Sequence, residues 1–281
     1  MQKRSPCKVN LLLNILGNRA DGFHELETVM HPVALYDQIS FSRGGNSIEL
    51  SCNRPEVPAD SSNLIYRTAA LFQERTKIKD GIRIHLEKNV PVGGGMGGGS
   101  ANAAVTLAAL NELHGNPLND LHELAAQLGS DVPFFLQSRP ALATGRGENI
   151  QPLDYFPALK GKWFLLINPG FGVPTPWAYK HLEPPYGKPG KAAESIKALN
   201  GDDLSAAQFY NSLEAPVLRK YPLLQLFQEF LKSNGALVAL MSGSGSTTFA
   251  ICAHEPDARE LERKTQEKFG PLWTAAVPVE P

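Results

Sequence analysis

The segment Pro91-Val92-Gly93-Gly94-Gly95-Met96-Gly97-Gly98-Gly99-Ser100-Ala101 holds six glycines in seven positions. No other part of the chain limits its own chemistry so narrowly. Each glycine costs about 0.8–1 kcal/mol relative to alanine in a helix, so the run resists regular structure. It also permits positive φ and leaves backbone N–H groups bare, so that a phosphate can come close. The run leads directly into an Ala/Leu-rich stretch from Ser100 to His114 that stops at Gly115, with Pro117 just beyond, the ending expected of a helix. The start of that helix would add free N–H groups and the positive end of its dipole. A flexible linker usually contains serines and is not followed at once by a well-stopped helix. The chemistry implied is a triphosphate cradle.

The type of cradle can be narrowed by exclusion. A Walker A loop ends in Gly-Lys-Ser/Thr, and no lysine lies between Val90 and the helix. Gly93, Gly95 and Gly98 satisfy GxGxxG, but in a stretch this rich in glycine the match is nearly inevitable. A dinucleotide site also needs an acidic residue about 20 positions on, ending a second strand, whereas Glu112 falls inside the same helix. The His-Arg-Asp and Asp-Phe-Gly marks of protein kinases are absent. A protein-derived zinc site is not expected, because His24-Glu25 and His122-Glu123 begin the HExxH pattern without its second histidine. Cys7, Cys52 and Cys252 contain no CxxC pair and are expected to be reduced thiols, mostly buried.

Several elements must position this loop. From Lys8 to Leu16 the chain reads as a strand with Val9, Leu11, Leu13 and Ile15 on one face and Lys8, Asn10 and Asn14 on the other. The polar face is either a site wall or the outer face of an ordinary half-exposed sheet. A turn follows at Arg19-Ala20-Asp21-Gly22, then strand-like runs around Val29–Leu35 and Ile39–Phe41. Asn63 is placed to cap a helix running to about Lys77. Ile82, Ile84 and Leu86 alternate with polar residues in a strand that leads towards the glycines. Asp120-Leu121-His122-Glu123 has the pattern of a capping box ahead of a helix ending at Gly129. Later strands are expected at Trp163–Ile167, Leu237–Met241 and Thr248–Cys252, with loops at Asn168–Pro176 and Pro184–Gly190.

At 281 residues the prior is about two domains. A composition shift near Tyr155–Gly161 suggests a division into 1–158 and 159–281. A composition 42% hydrophobic and 20% charged argues against disorder, and no apolar run approaches the ~18 residues of a membrane span. The opening residues have a charged start but no h-region, so a signal peptide is not expected. A net charge of −1 argues against a general nucleic-acid binder. The expectation is a cytoplasmic enzyme with a small-molecule substrate and no nucleic-acid or membrane partner.

Three segments together resemble the galactokinase, homoserine, mevalonate and phosphomevalonate (GHMP) kinase superfamily. Lys8-Val9-Asn10-Leu11 resembles its first motif, the glycine loop its second, and Met241-Ser242-Gly243-Ser244-Gly245-Ser246 its third. More narrowly, Arg19–Glu25, Leu128–Phe135, and Asn168-Pro169-Gly170 followed by Pro174-Thr175-Pro176 are similar to the superfamily's cytidyl-sugar-alcohol kinases. The matches run in order from Lys8 to about Cys252.

The resemblance implies an α+β fold of two domains, the first like a ribosomal-protein unit and the second ferredoxin-like. It implies transfer of the γ-phosphoryl group of ATP, with Mg2+, to the 2-hydroxyl of a cytidyl-linked methylerythritol in the non-mevalonate isoprenoid pathway, by a monomer or homodimer. Matched positions make Lys8 and Asp131 the catalytic pair. They put Asn10, Phe23, His24, Thr175 and Tyr179 near the cytidine or sugar alcohol, and Asn63, Leu64, Lys88 and Pro91 around the adenine. Val92 through Ala101 form the phosphate loop.

Physical chemistry supports these assignments only in part. A carboxylate at position 131, just past the helix that ends at Gly129, could remove the proton of an alcohol, an effect of about 10²–10⁴-fold. It could equally be an N-cap for a helical turn beginning after Val132-Pro133. Phe23 and His24 offer a ring face and a ring nitrogen to a pyrimidine, although such a pair after a turn is more often packing. The sequence departs from the family pattern at Phe23, where tyrosine is common, at Cys7, where alanine is usual, and at Ala101, where a second serine is common.

Overall fold

The computed structural model describes residues 1–137, 139–201, 204 and 209–280. They form two compact units, each drawn from separate stretches of chain. The first comprises 1–7, 35–92 and 97–138, the second 8–34, 93–96 and 139–281. A cut at 158/159 follows chain order, whereas the compact units interleave. They can do so because β1 (Gln2–Asn18) and β2 (His24–Arg43) are 17 and 20 residues long and each contributes to both.

β1 is the strand read from the sequence, lengthened at both ends, but it is not half-exposed. Lys8, Asn10 and Asn14 are as buried as Leu11 and Ile15 on the opposite face. β2 joins the two expected runs, Val29–Leu35 and Ile39–Phe41, into one strand that also contains Pro32. Its Leu26–Met30 stretch pairs with β5 (Ala141–Gly145) and its Gln38–Arg43 stretch with β4 (Ile82–Glu87). Pro32 lies between them, where its missing N–H interrupts neither ladder.

In the first unit, β4 alternates strictly between buried and exposed residues and pairs in parallel with β3 (Ile48–Cys52). Helix α1 (Leu64–Thr76) begins where Asn63 accepts the N–H of Ile65 at 2.9 Å and ends at Lys77 in the left-handed region. It buries Ile65, Thr68, Ala69 and Phe72, one face at helical spacing, and packs on α2. Helix α2 (Gly98–Leu113) starts two residues earlier than expected, inside the glycine run, because Gly97 at φ 67 makes the entry turn. Helix α3 (His122–Leu128) is entered through Leu121. Asp120 contributes one hydrogen bond, from the N–H of His122 at 2.8 Å, rather than a full capping box. A 3₁₀ turn at Pro133–Leu136 comes next.

The second unit contains β5, β6 (Asn149–Pro152), the short β8 (Tyr210–Asn211) parallel to β1, and a sheet of four antiparallel strands. Those strands are β7 (Trp163–Asn168), β9 (Val238–Met241), β10 (Thr248–Cys252) and β11 (Trp273–Pro278), in the spatial order β11-β7-β10-β9. Helices α4 (Thr175–Lys180), α5 (Lys191–Leu199), α6 (Glu214–Lys220) and α7 (Pro222–Ser233) lie between β7 and β9 in sequence. Helix α8 (Glu255–Phe269) lies between β10 and β11. The strand order with helical crossovers is the ferredoxin-like arrangement expected. Leu13 and Ile15 of β1 pack in its core with Leu165, Ile167, Leu213, Phe227, Met241 and Ala250. Among the described residues no helix is long and apolar enough to cross a membrane.

Candidate active site

The second unit holds the first half of the glycine run and ties it down by its carbonyl oxygens. Lys8 donates its backbone N–H to Met96 O at 3.0 Å, Thr247 donates its own to Gly94 O at 3.1 Å, and Ser242 Oγ donates to Gly95 O at 3.0 Å. In a trans peptide the N–H points opposite to the carbonyl. The N–H groups of Gly95 and Met96 therefore face away from the 242–247 loop, and that of Gly97 away from the Lys8 end of β1. Glycines at 93, 95 and 97 have φ of 68, 78 and 67°, left-handed conformations alternating with other residues, a pattern from which backbone anion sites are built. A Cβ at Gly95 would lie 2.1 Å from Ser242 O, so only glycine allows this approach. The loop thus fits a phosphate chain.

Beneath the loop, Lys8 Nζ donates to Asn10 Oδ1 at 2.6 Å and to Gly95 O at 3.4 Å. Asn10 passes its own N–H to Thr28 Oγ1 at 2.9 Å. The ammonium is therefore positioned by two oxygens beside the loop.

An aromatic cluster lies in the same unit. The His24 ring stands 5.0 Å from Tyr179 and 6.4 Å edge-on to Tyr186. Phe23 is half exposed, and the guanidinium of Arg146 lies 4.7 Å from its centroid. Burial lowers the His24 pKa, so the imidazole is neutral at pH 7 and offers one donor and one acceptor. Thr175 Oγ1 meets Ser244 Oγ at 2.9 Å, which ties the start of α4 to the 241–247 loop. Aromatic faces, a neutral imidazole and a cation are what an anionic nucleotide base-and-phosphate ligand requires.

The first unit carries a second group. Asn63 caps α1 and also donates to Pro58 O at 2.7 Å. The side chain of Leu64 lies 3.8 Å from where a Cβ at Gly99 would be, and Lys88 Nζ lies 3.0 Å from the equivalent position at Gly98. Asn63, Leu64 and Lys88 thus gather at the start of α2, preceded by Pro91 and the exposed Val92. Lys88 is also paired with Asp37 at 2.6 Å. Gly98, Gly99, Ser100 and Ala101 form the first turn of α2. Asp131 is half-buried in the turn after Gly129, and the 3₁₀ helix behind it is entered through Val132. Cys7 and Cys252 are buried, and Cys52 is half-buried.

Two residues at the aromatic cluster were not singled out from the sequence. Arg146 had a legible signal, since it sits between Gly145 and Gly147, both at positive φ in the structure. Tyr186 had none, lying in a loop rich in proline and glycine.

Residues 63–139 match the profile of the GHMP kinases N terminal domain and residues 192–270 that of the GHMP kinases C terminal domain. The chain is 44% identical to 4-diphosphocytidyl-2-C-methyl-D-erythritol kinase of Methylacidiphilum infernorum (isolate V4), over 95% of this chain and 92% of that one. Its fold superposes on a crystal structure of 4-(cytidine 5'-diphospho)-2C-methyl-D-erythritol kinase with a TM-score of 0.82 at 36% identity, covering 99% of both chains. Homoserine kinase from Cytophaga hutchinsonii shares the fold at a TM-score of 0.71 and 19% identity, covering 98% of this chain and 96% of that one.

Proposed function

Because the chain belongs to the GHMP kinases, in the branch named 4-diphosphocytidyl-2-C-methyl-D-erythritol kinase, we propose that it transfers the γ-phosphoryl group of ATP to the 2-hydroxyl of that cytidyl-linked alcohol, in the non-mevalonate route to isoprenoid precursors. The observation that carries the acceptor assignment is the ring pair of His24 and Tyr179, with the adjacent Phe23 half exposed and Arg146 over its ring. A pyrimidine needs a face to stack on and a partner for its edge, and an attached diphosphate needs a cation. An amino-acid or mevalonate acceptor needs no stacking ring.

Phosphoryl transfer depends mainly on positioning and charge neutralisation. The glycine loop binds the phosphates through the N–H groups of Gly95 and Met96 and the first turn of α2. Asn63, Leu64, Lys88 and Pro91 border the adenine. Asp131 takes the proton of the acceptor hydroxyl, and Lys8, held by Asn10, offsets the charge that develops on the transferring group. Mg2+, bound with ATP, would supply further charge neutralisation. Such an ion commonly takes most of its oxygens from phosphate and water.

The test is ADP release measured with the cytidyl-linked methylerythritol, homoserine and mevalonate at equal concentration. Turnover with the cytidyl substrate alone is expected. Turnover with homoserine or mevalonate instead would discard the acceptor pocket while keeping the nucleotide site.

A further inference from the structure

We propose that Asn211 and Glu214 are positioning residues of the nucleotide cradle, acting through the Met241–Thr247 loop on the carbonyls of Gly94 and Gly95. The proposal rests on the reading of the glycine loop as the ATP site. It concerns two polar side chains, Asn211 buried and Glu214 half-buried, that take no part in the chemistry described above.

Asn211 ends β8 and is buried. Its Nδ2 uses both protons on the loop, donating to Met241 O and to Gly243 O at 2.8 Å each, while its Oδ1 accepts the N–H of Leu213 at 2.9 Å. Glu214, at the start of α6, accepts the N–H of Met241 at 2.8 Å through an oxygen that also accepts from Gln228 Nε2 at 2.5 Å. Met241 is thus gripped at its N–H by one side chain and at its carbonyl by the other. Burial raises the Glu214 pKa, and the two hydrogen bonds it accepts oppose that shift.

The grip is passed on through the loop. Ser242 N–H donates to Thr247 O at 2.9 Å and Gly245 N–H to Ser242 O at 2.9 Å, which closes the turn. Gly243 stands at φ 55, and a Cβ there would lie 2.9 Å from Gly95 O. From this turn, Ser242 Oγ and Thr247 N–H hold the carbonyls of Gly95 and Gly94. Those bonds set which way the opposite N–H groups point. An amide that controls two loop carbonyls, 30 and 32 residues away in sequence, therefore controls the orientation of phosphate donors it does not touch. The alternative is that Asn211 merely starts α6 through its bond to Leu213, in which case losing it would lower stability and leave nucleotide affinity unchanged.

Two variants of the full chain separate these roles. Asn211→Asp keeps the side chain's size and its acceptor towards Leu213 but sets a carboxylate against two carbonyls. Ser242→Ala removes only the last link and leaves Asn211 and Glu214 intact. Binding of a non-hydrolysable ATP analogue is measured by calorimetry, and the unfolding midpoint is recorded alongside. Each variant is expected to weaken the analogue by about tenfold, the loss typical of one well-placed hydrogen bond, with the KM for the acceptor alcohol unchanged. Wild-type analogue affinity in both variants, with or without a lowered midpoint, overturns the proposal. If Asn211→Asp does not fold, Ser242→Ala alone decides in the same way. A wild-type chain that fails to bind the analogue removes the ATP-site reading and the proposal together, whereas normal binding in wild type and variants removes only the proposal.

Discussion

Lys88 and Asp37 meet at 2.6 Å between Nζ and Oδ2, with 6% and 0% of their side chains exposed. The other Asp37 oxygen accepts the backbone N–H groups of Asn89 and Val90, each at 2.8 Å. One carboxylate thus anchors the chain immediately before the glycine run, and the lysine it neutralises lies under the first turn of α2. Lys88 is held as a fixed part of the nucleotide-binding frame, with its charge already balanced.

Removing one partner should therefore be costly. Asp37→Asn would leave the Lys88 ammonium buried and uncompensated, and the expected loss is about 3–5 kcal/mol of folding free energy by urea denaturation. The double variant Asp37→Asn, Lys88→Met should recover much of it, because the charge is then removed as well. A loss below about 1 kcal/mol in the single variant would mean that the pair behaves as an exposed one.

Asp131→Asn keeps the side chain's shape and removes its basicity. Under the proposed mechanism, kcat should fall by about 10²–10⁴-fold while affinity for the ATP analogue stays at the wild-type value. Rapid-quench turnover with saturating acceptor provides the measurement, and near-wild-type kcat would remove Asp131 from the role of base.

Phe23 tests the acceptor pocket. Phe23→Ala takes away a stacking face worth roughly 1–3 kcal/mol per base, so KM for the cytidyl alcohol should rise by about tenfold or more while KM for ATP holds. Phe23→Tyr keeps the ring and should keep the affinity. Equal KM values for Phe23→Ala and wild type would show that the ring only packs against Arg146.

His31 gives the fold a defined acid sensitivity. It is fully buried among Tyr155, Phe156 and Phe164, its Nδ1 bonds to Pro32 O at 2.7 Å, and its Nε2 has no hydrogen-bond partner among the described residues. Desolvation pushes its pKa from 6.5 to about 4. Between those values the unfolded chain binds a proton that the folded chain refuses. The resulting stability is fully present above pH 6.5 and is lost as pH falls towards 4, by about 3 kcal/mol in all. His31→Phe should flatten this part of the profile relative to wild type in denaturation series run from pH 4 to pH 7. An unchanged slope would assign the acid sensitivity to other groups.

What could be read from the sequence depended on how far apart the interacting residues lie. Asn63 and the helix it caps, the alternation of β4, and the entry of the glycine run into α2 were legible because their causes lie within a few residues. Lys8 and Asn10 shared a face on period-two reasoning, and they are hydrogen-bonded to one another. The burial of that face was not legible, because it is covered by residues such as Gly95 and Gly243, far along the chain. The same distance concealed Asp37, 51 residues from the lysine it balances, and Asn211 below the third glycine segment. β2 was read as two runs, Val29–Leu35 and Ile39–Phe41, with the polar Asp37-Gln38 between them. The pairing of Gln38 with Glu87 and the burial of Asp37 against Lys88 carry the strand across that gap.

The interleaving of the two compact units bears on how this protein can be recombined. No single crossover in the gene separates them. A fragment beginning at residue 159 would lack residues 8–34, 93–96 and 139–158 of its own unit, and with them most of β1, the inner half of β2, and both β5 and β6. A chimera joined there to a relative would depend on the foreign β1 and β2 fitting the native C-terminal sheet. Shuffling should therefore favour crossovers that move the 19–23 and 181–190 loops as inserts, leaving each long strand whole.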